Sequence, residues 1–210
     1  MNGTRAAAFA VVCLIAGSIG CGQQPAPSTT VPGLAVPAKR SDGCLPSGNG
    51  YLRARIRGAL TLDIDWQDAE LECDGGARPD GSGIRVAFAG PQRTDGRRLR
   101  LVFGLRASEG TGGRAIPTNL TVIFEGEQRL FATRGDDRCT TDELRQERVG
   151  ALGGNSRSYR VVARGFCTAP ASALAGDERI VINSFDFAGH VVFEDTHAQV
   201  TPTEPPRGTL

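Results

Sequence analysis

The chain has 210 residues, enough for one domain with a hydrophobic core and few for two. Its 28 glycines, 12 prolines and 40% hydrophobic content suit short strands joined by frequent turns and argue against an architecture of long helices. With 24 basic against 23 acidic residues and no basic block, it lacks the electrostatic footprint of a nucleic-acid binder, so no nucleic-acid partner is expected.

Residues 1–20 have the form of a signal peptide. Arg5 and the amino terminus are positive, and Ala6 to Ala16 form an apolar stretch too short to span a bilayer. Ser18, Ile19, Gly20 and Cys21 follow, and this resembles the lipobox of bacterial lipoproteins, in which a small residue precedes the cysteine at the cut. The resemblance covers the first 21 residues and departs from the usual pattern at Ser18, where a branched aliphatic is usual. It implies an acylated Cys21 anchored in a membrane, and Gly22 in place of an aspartate implies sorting to the outer membrane. Removal of Arg5 with the signal leaves basic and acidic residues equal in number.

Residues 21–43 are rich in Gln, Pro, Ser, Thr and Ala, and too poor in apolar residues to offset the entropy of ordering; they read as a lipid-anchored tether. A β domain is expected over 44–195, and a disordered tail with Pro202, Pro205 and Pro206 over 196–210.

Within the domain the hydrophobic period is two. Leu52, Ala54 and Ile56 alternate with Arg53, Arg55 and Arg57, and Leu62, Ile64 and Trp66 alternate with Asp63 and Asp65. Gly58 and Ala59 between them allow a hairpin or one bent strand. The hairpin is favoured, with a three-residue loop that sets Ile56 opposite Leu60 and Arg53 opposite Asp63. Further strands are expected at Ile84 to Ala89, Leu99 to Leu105, Leu120 to Glu125, Arg129 to Ala132, Tyr159 to Phe166, Arg179 to Phe187 and Val191 to Phe193. Turns are expected at Pro79–Gly81, Asp95–Gly96, Glu125–Glu127 and Ala188–Gly189. Helical character is allowed only near Pro170 to Leu174 and Thr141 to Arg148. The sum is an all-β fold, an antiparallel β-sandwich of about eight or nine strands, with a β-barrel as the alternative.

Apart from Cys13 and Cys21, four cysteines remain: Cys44, Cys73, Cys139 and Cys167. An even number in an exported domain reads as two disulfides. Three pairings are open, and turn-like midpoints at Gly58–Ala59 and Gly153 favour Cys44 with Cys73 and Cys139 with Cys167. A zinc site would need closer paired spacing, so no metal is expected there.

Chemistry-bearing motifs are sparse. His190 beside Gly189 reads as a turn histidine, and His197 falls next to the tail. No serine or cysteine lies in a nucleophile elbow, so no catalytic residue is assigned. The run Asp63, Asp65, Asp68, Glu70, Glu72 and Asp74 offers oxygen ligands but lacks the ordered spacing of a calcium loop; opposite arginines explain Asp63 and Asp65 more simply. Trp66 shares the parity of Leu62 and Ile64 and is expected in the core rather than on a sugar-stacking surface. Gly110, Gly112 and Gly113 lack the lysine of a phosphate loop. No cofactor is expected. Two function classes follow: a non-enzymatic envelope module that binds a protein or glycan or serves structurally, and a hydrolase whose catalytic residues are dispersed in sequence.

Overall fold

The computed structural model describes residues 43–150 and 156–194. The signal segment, Cys21, the tether up to residue 42, Gly153, His197 and the tail lie outside the described residues. The described chain forms eleven strands: β1 (Tyr51–Gly58), β2 (Leu62–Gln67), β3 (Glu72–Ala77), β4 (Ile84–Ala89), β5 (Arg98–Leu105), β6 (Ile116–Glu125), β7 (Arg129–Ala132), β8 (Cys139–Gly150), β9 (Ser156–Cys167), β10 (Ala171–Ala173) and β11 (Arg179–Glu194). Every pairing is antiparallel. Among the described residues the only helical element is one 3-10 turn at Asp68–Glu70.

All eleven strands belong to one hydrogen-bonded sheet that folds over on itself. The front layer runs β2-β1-β11-β9-β8, and the back layer runs β3-β4-β5-β6-β7. The layers join along one side, where residues 139–141 of β8 pair with 116–118 of β6 and β10 spans from β7 to β11. Apolar residues at alternate positions meet between the layers. Phe88 and Phe103 of the back layer pack on Phe187 of the front layer with ring centroids 5.0 and 4.7 Å apart, and Phe103 reaches Phe185 at 5.1 Å. All four rings are buried. On the side away from the joined edge, β3 crosses close to β11: a Cβ on Gly75 would lie 2.7 Å from the His190 carbonyl, so glycine is required for this approach.

Leu52 to Trp66 is a hairpin, with a register two residues longer than expected. Ile56 pairs with Leu62, Arg55 with Asp63 and Arg53 with Asp65. The loop is wider because β1 keeps pairing with β11 as far as Gly58, whose φ of 119° turns the chain outward. The Arg57 guanidinium closes the end, donating to the carbonyls of Ile56 (2.8 Å) and Leu62 (3.1 Å). A shift of two preserves which face each side chain takes, so the burial pattern is unaffected.

Three further expectations are corrected. Ala188–Gly189 is not a turn: β11 runs unbroken for 16 residues, and Gly189 is small because the Phe88 ring occupies its Cβ side at 2.6 Å. Thr141 to Arg148 belongs to β8, where pairing along β9 outweighs helix-favouring composition and bulges absorb Asp142 and Val149. Pro170 to Leu174 contains β10 rather than a helical turn. β3, β8 and β10 bring the count above the expected eight or nine.

Two disulfides link Cys44 to Cys73 and Cys139 to Cys167. The first encloses the β1–β2 hairpin and ties the entering chain to β3. The second joins directly opposed residues at the base of the β8–β9 hairpin. Two such bonds are compatible with an exported, non-cytoplasmic protein.

Candidate functional site: the front face

The solvent side of the front layer is rich in charged and polar side chains. Because side chains alternate along a strand, Tyr51, Arg53 and Arg55 of β1 share this face with Asp63 and Asp65 of β2, Asp186 and His190 of β11, Arg160 and Arg164 of β9, and Glu143, Arg145 and Glu147 of β8. Three hollows lie along it, and neighbouring hollows share lining residues.

The first is an open basin of about 650 Å³ over β2, β1 and β11, lined by Arg53, Arg55, Arg57, Asp63, Asp65 and Asp186 among others. Arg53 pairs with Asp65 at 3.1 Å and Arg57 with Asp63 at 2.7 Å. Arg55 faces Asp63 in the ladder, yet Asp63 is engaged by Arg57, and among the described residues Arg55 has no ion pair. The second hollow, about 130 Å³, lies between Tyr51, Asp186, Glu143, Arg145 and Arg164. Here the Tyr51 hydroxyl donates to Asp186 at 2.8 Å. Burial and this bond to a carboxylate push the phenol above its usual range. The third, about 360 Å³, is lined by Gly113, Arg114, Glu143, Leu144, Arg145 and Arg164.

Farther along the face, the Ser158 hydroxyl hydrogen-bonds His190 Nε2. His190 sits mid-strand opposite Arg160 and not in a turn, and burial holds its imidazole below the ordinary value. Sequence separation hid this pair: 32 residues divide Ser158 from His190, and only the β9–β11 register joins them. Ser158 is 3% exposed, so its oxygen is closed to a substrate in this conformation. Among the described residues no carboxylate hydrogen-bonds the imidazole to supply the third member that an activated serine needs. Arg160, 19% exposed, reaches Glu147 at 3.4 Å, and its Nε is buried without a partner.

The acidic run from Asp63 to Asp74 is dispersed by the fold. Asp63 and Asp65 pair with arginines on the front. Asp68 turns inward and accepts the backbone N–H groups of Leu45 (2.9 Å) and Gly50 (2.7 Å), while Glu70 accepts from the Gln67 amide at the start of the 3-10 turn (2.9 Å). Glu72 and Asp74 pair with arginines on the back layer. Among the described residues no group of three His, Cys, Asp or Glu is placed to hold a metal ion. Trp66 packs against the core rim over Gly90 and is half-buried. The glycines at 110–113 belong to a loop that Gln146 pins through the Gly110 amide and the Ser108 and Thr111 carbonyls.

No family model, curated protein or solved structure matches the chain.

Proposed function

We propose that this is an exported lipoprotein, held in the bacterial outer membrane through Cys21, whose β domain is a non-enzymatic module that binds an envelope protein or glycan. The observation that carries the binding reading is the front face. It has contiguous hollows and guanidinium groups, such as Arg55, without an internal counter-charge. Two disulfides suit an oxidising compartment outside the cytoplasm, and the lipobox-like residues ending at Cys21 supply the anchor. Several acyl chains hold a protein stably where a single chain binds marginally.

Cell fractionation tests the anchor: Cys21→Ala should move the protein from membranes to the soluble envelope fraction. Intact mass spectrometry showing no acyl addition on the native protein contradicts it. For the domain, a pull-down from envelope extract should recover a stoichiometric partner. The Ser158–His190 contact favours a second reading, an envelope hydrolase in which a conformational change uncovers the serine. Turnover on an ester, peptidoglycan or glycan panel that is abolished by both Ser158→Ala and His190→Ala establishes that reading and removes the first.

A further inference from the structure

Of the three hollows on the front face, the one at the β8 end is lined by the largest excess of basic over acidic side chains. Three guanidiniums, Arg114 from the loop before β6, Arg145 from β8 and Arg164 from β9, line it with a single carboxylate, Glu143. Glu143 is shared: it lies 2.8 Å from Arg164 and 3.6 Å from Arg145. Arg114 has no ion pair among the described residues. The next carboxylate along the face, Asp186, belongs to the neighbouring hollow, where it accepts the Tyr51 hydroxyl. The backbone beneath Arg114 is fixed. Gly113 and Leu144 exchange two hydrogen bonds, at 3.0 and 2.8 Å, and Ala115 holds a left-handed φ of 53°. The three arginines therefore arise from three separate elements and line one hollow.

We infer that this groove is a binding site for phosphate groups, with Arg114, Arg145 and Arg164 as the ligating side chains and Glu143 as an internal anion that the ligand displaces. The inference gives a ligand chemistry to the binding-module reading and rests on it, but it does not depend on the anchor. A tetrahedral phosphate offers three oxygens in different directions, matching guanidiniums that approach from a loop and two strands; each planar fork can also engage two oxygens at once. Glu143 already shows that an anionic oxygen is held there, and one carboxylate leaves the groove short of negative charge. Arg145 and Arg164 are 63% and 64% exposed, so they reorient freely, and screening by salt weakens the interaction. The phosphate can be free or carried on a lipid headgroup.

The test uses the full-length protein carrying Cys21→Ala, titrated with pyrophosphate at low and at physiological salt. Arg114→Ala, Arg145→Ala and Arg164→Ala should each weaken binding about two- to five-fold, as for exposed ion pairs, and the triple variant should abolish it. Glu143→Gln should tighten binding about two- to five-fold, because it removes the competing anion; loss of structure would not produce a gain. Arg134→Ala, which removes an exposed cation just after β7 of the back layer, away from the front face, should change affinity less than two-fold. A parallel arm measures co-sedimentation with phosphatidylcholine vesicles with and without phosphatidylglycerol. Binding only to the anionic vesicles, with the same variant pattern, assigns the phosphate to a lipid headgroup; binding to pyrophosphate alone assigns it to a free ligand. No binding in either arm, an Arg134→Ala effect equal to that of Arg145→Ala, or no gain from Glu143→Gln overturns the site.

Discussion

The two outer surfaces of the sheet are built from the same residue types and resolve their charges differently. On the back layer, Arg85, Asp74, Arg100, Glu125, Arg98 and Glu72 form one continuous relay: Arg85 and Arg100 share Asp74, Arg100 and Arg98 share Glu125, and Arg98 ends on Glu72. The small Ala87 and Ala89 of β4 lie between Asp74 and Glu72 of β3 and the arginine-bearing β5, leaving room for the long side chains to cross. On the front, pairing stops short. Among the described residues Arg55 and Arg114 have no ion pair, and Glu143 is divided between two arginines. Near-equal total charge therefore says little about either surface; the ladder register decides whether a guanidinium is spent inside the molecule or offered to solvent.

Both faces depend on one core, so the largest effect should come from the ring that joins the layers. Phe187→Ala removes contacts with Phe88, Phe103 and Phe185, and should cost about 3–5 kcal/mol in chemical denaturation, with loss of both faces together. A loss below about 1 kcal/mol would mean that the layers do not share a core. Next, breaking the Cys44–Cys73 link by Cys44→Ser with Cys73→Ser should cost roughly 3–4 kcal/mol in the loop-entropy view, which the same melts would measure.

Glu125→Gln sharpens the contrast on the back face. It removes the negative charge and replaces one of the two oxygens that accept from Arg98 and Arg100 by an N–H donor, and should cost about 1–2 kcal/mol at neutral pH, whereas Arg55→Ala on the front should stay within about 0.5 kcal/mol. Burial alone would raise the Glu125 carboxyl, but hydrogen bonds from Arg98 and Arg100 outweigh it and hold it below the ordinary range. Its folded pKa is depressed, so its stabilisation is present above the unfolded value of 4.5 and is lost as pH falls through the folded value. Glu125→Gln should remove that part of the acid limb.

The front face titrates in a different window. Burial lowers His190 below its unfolded value of 6.5, so stability is full above that pH and declines as pH falls toward the folded value, where the imidazolium must form opposite Arg160. Urea melts across pH 7.5 to 4.5 should show a decline that His190→Gln flattens; an unchanged slope would mean that His190 does not gain its proton on unfolding. This effect should be the smallest, since one half-buried group carries it.

The fold class was legible because its signal is local. Alternation at Leu52–Ile56 and Leu62–Trp66, and the apolar runs of β4, β5 and β6, each fit a strand without reference to a partner. β8 was not legible, since Thr141 to Arg148 has helix-favouring residues and becomes a strand only by pairing with β9. Gly189 misled for a related reason: a glycine that accommodates the Phe88 ring looks in sequence like a glycine that turns the chain. The Ser158–His190 pair and the Arg114, Arg145 and Arg164 groove are products of register between distant strands. No spacing rule applied to one strand at a time encloses them.

The most direct test of the asymmetry between the faces is a two-dimensional NMR titration of isotopically labelled full-length protein with pyrophosphate, resolving backbone amides and arginine Nε–H groups. Shifts should concentrate at Gly113 to Ala115, Glu143 to Arg145 and Val162 to Arg164, while the relay from Arg85 to Arg98 stays fixed. Equal shifts at Arg85, Arg98 and Arg100, or shifts spread evenly over both layers, would contradict the account.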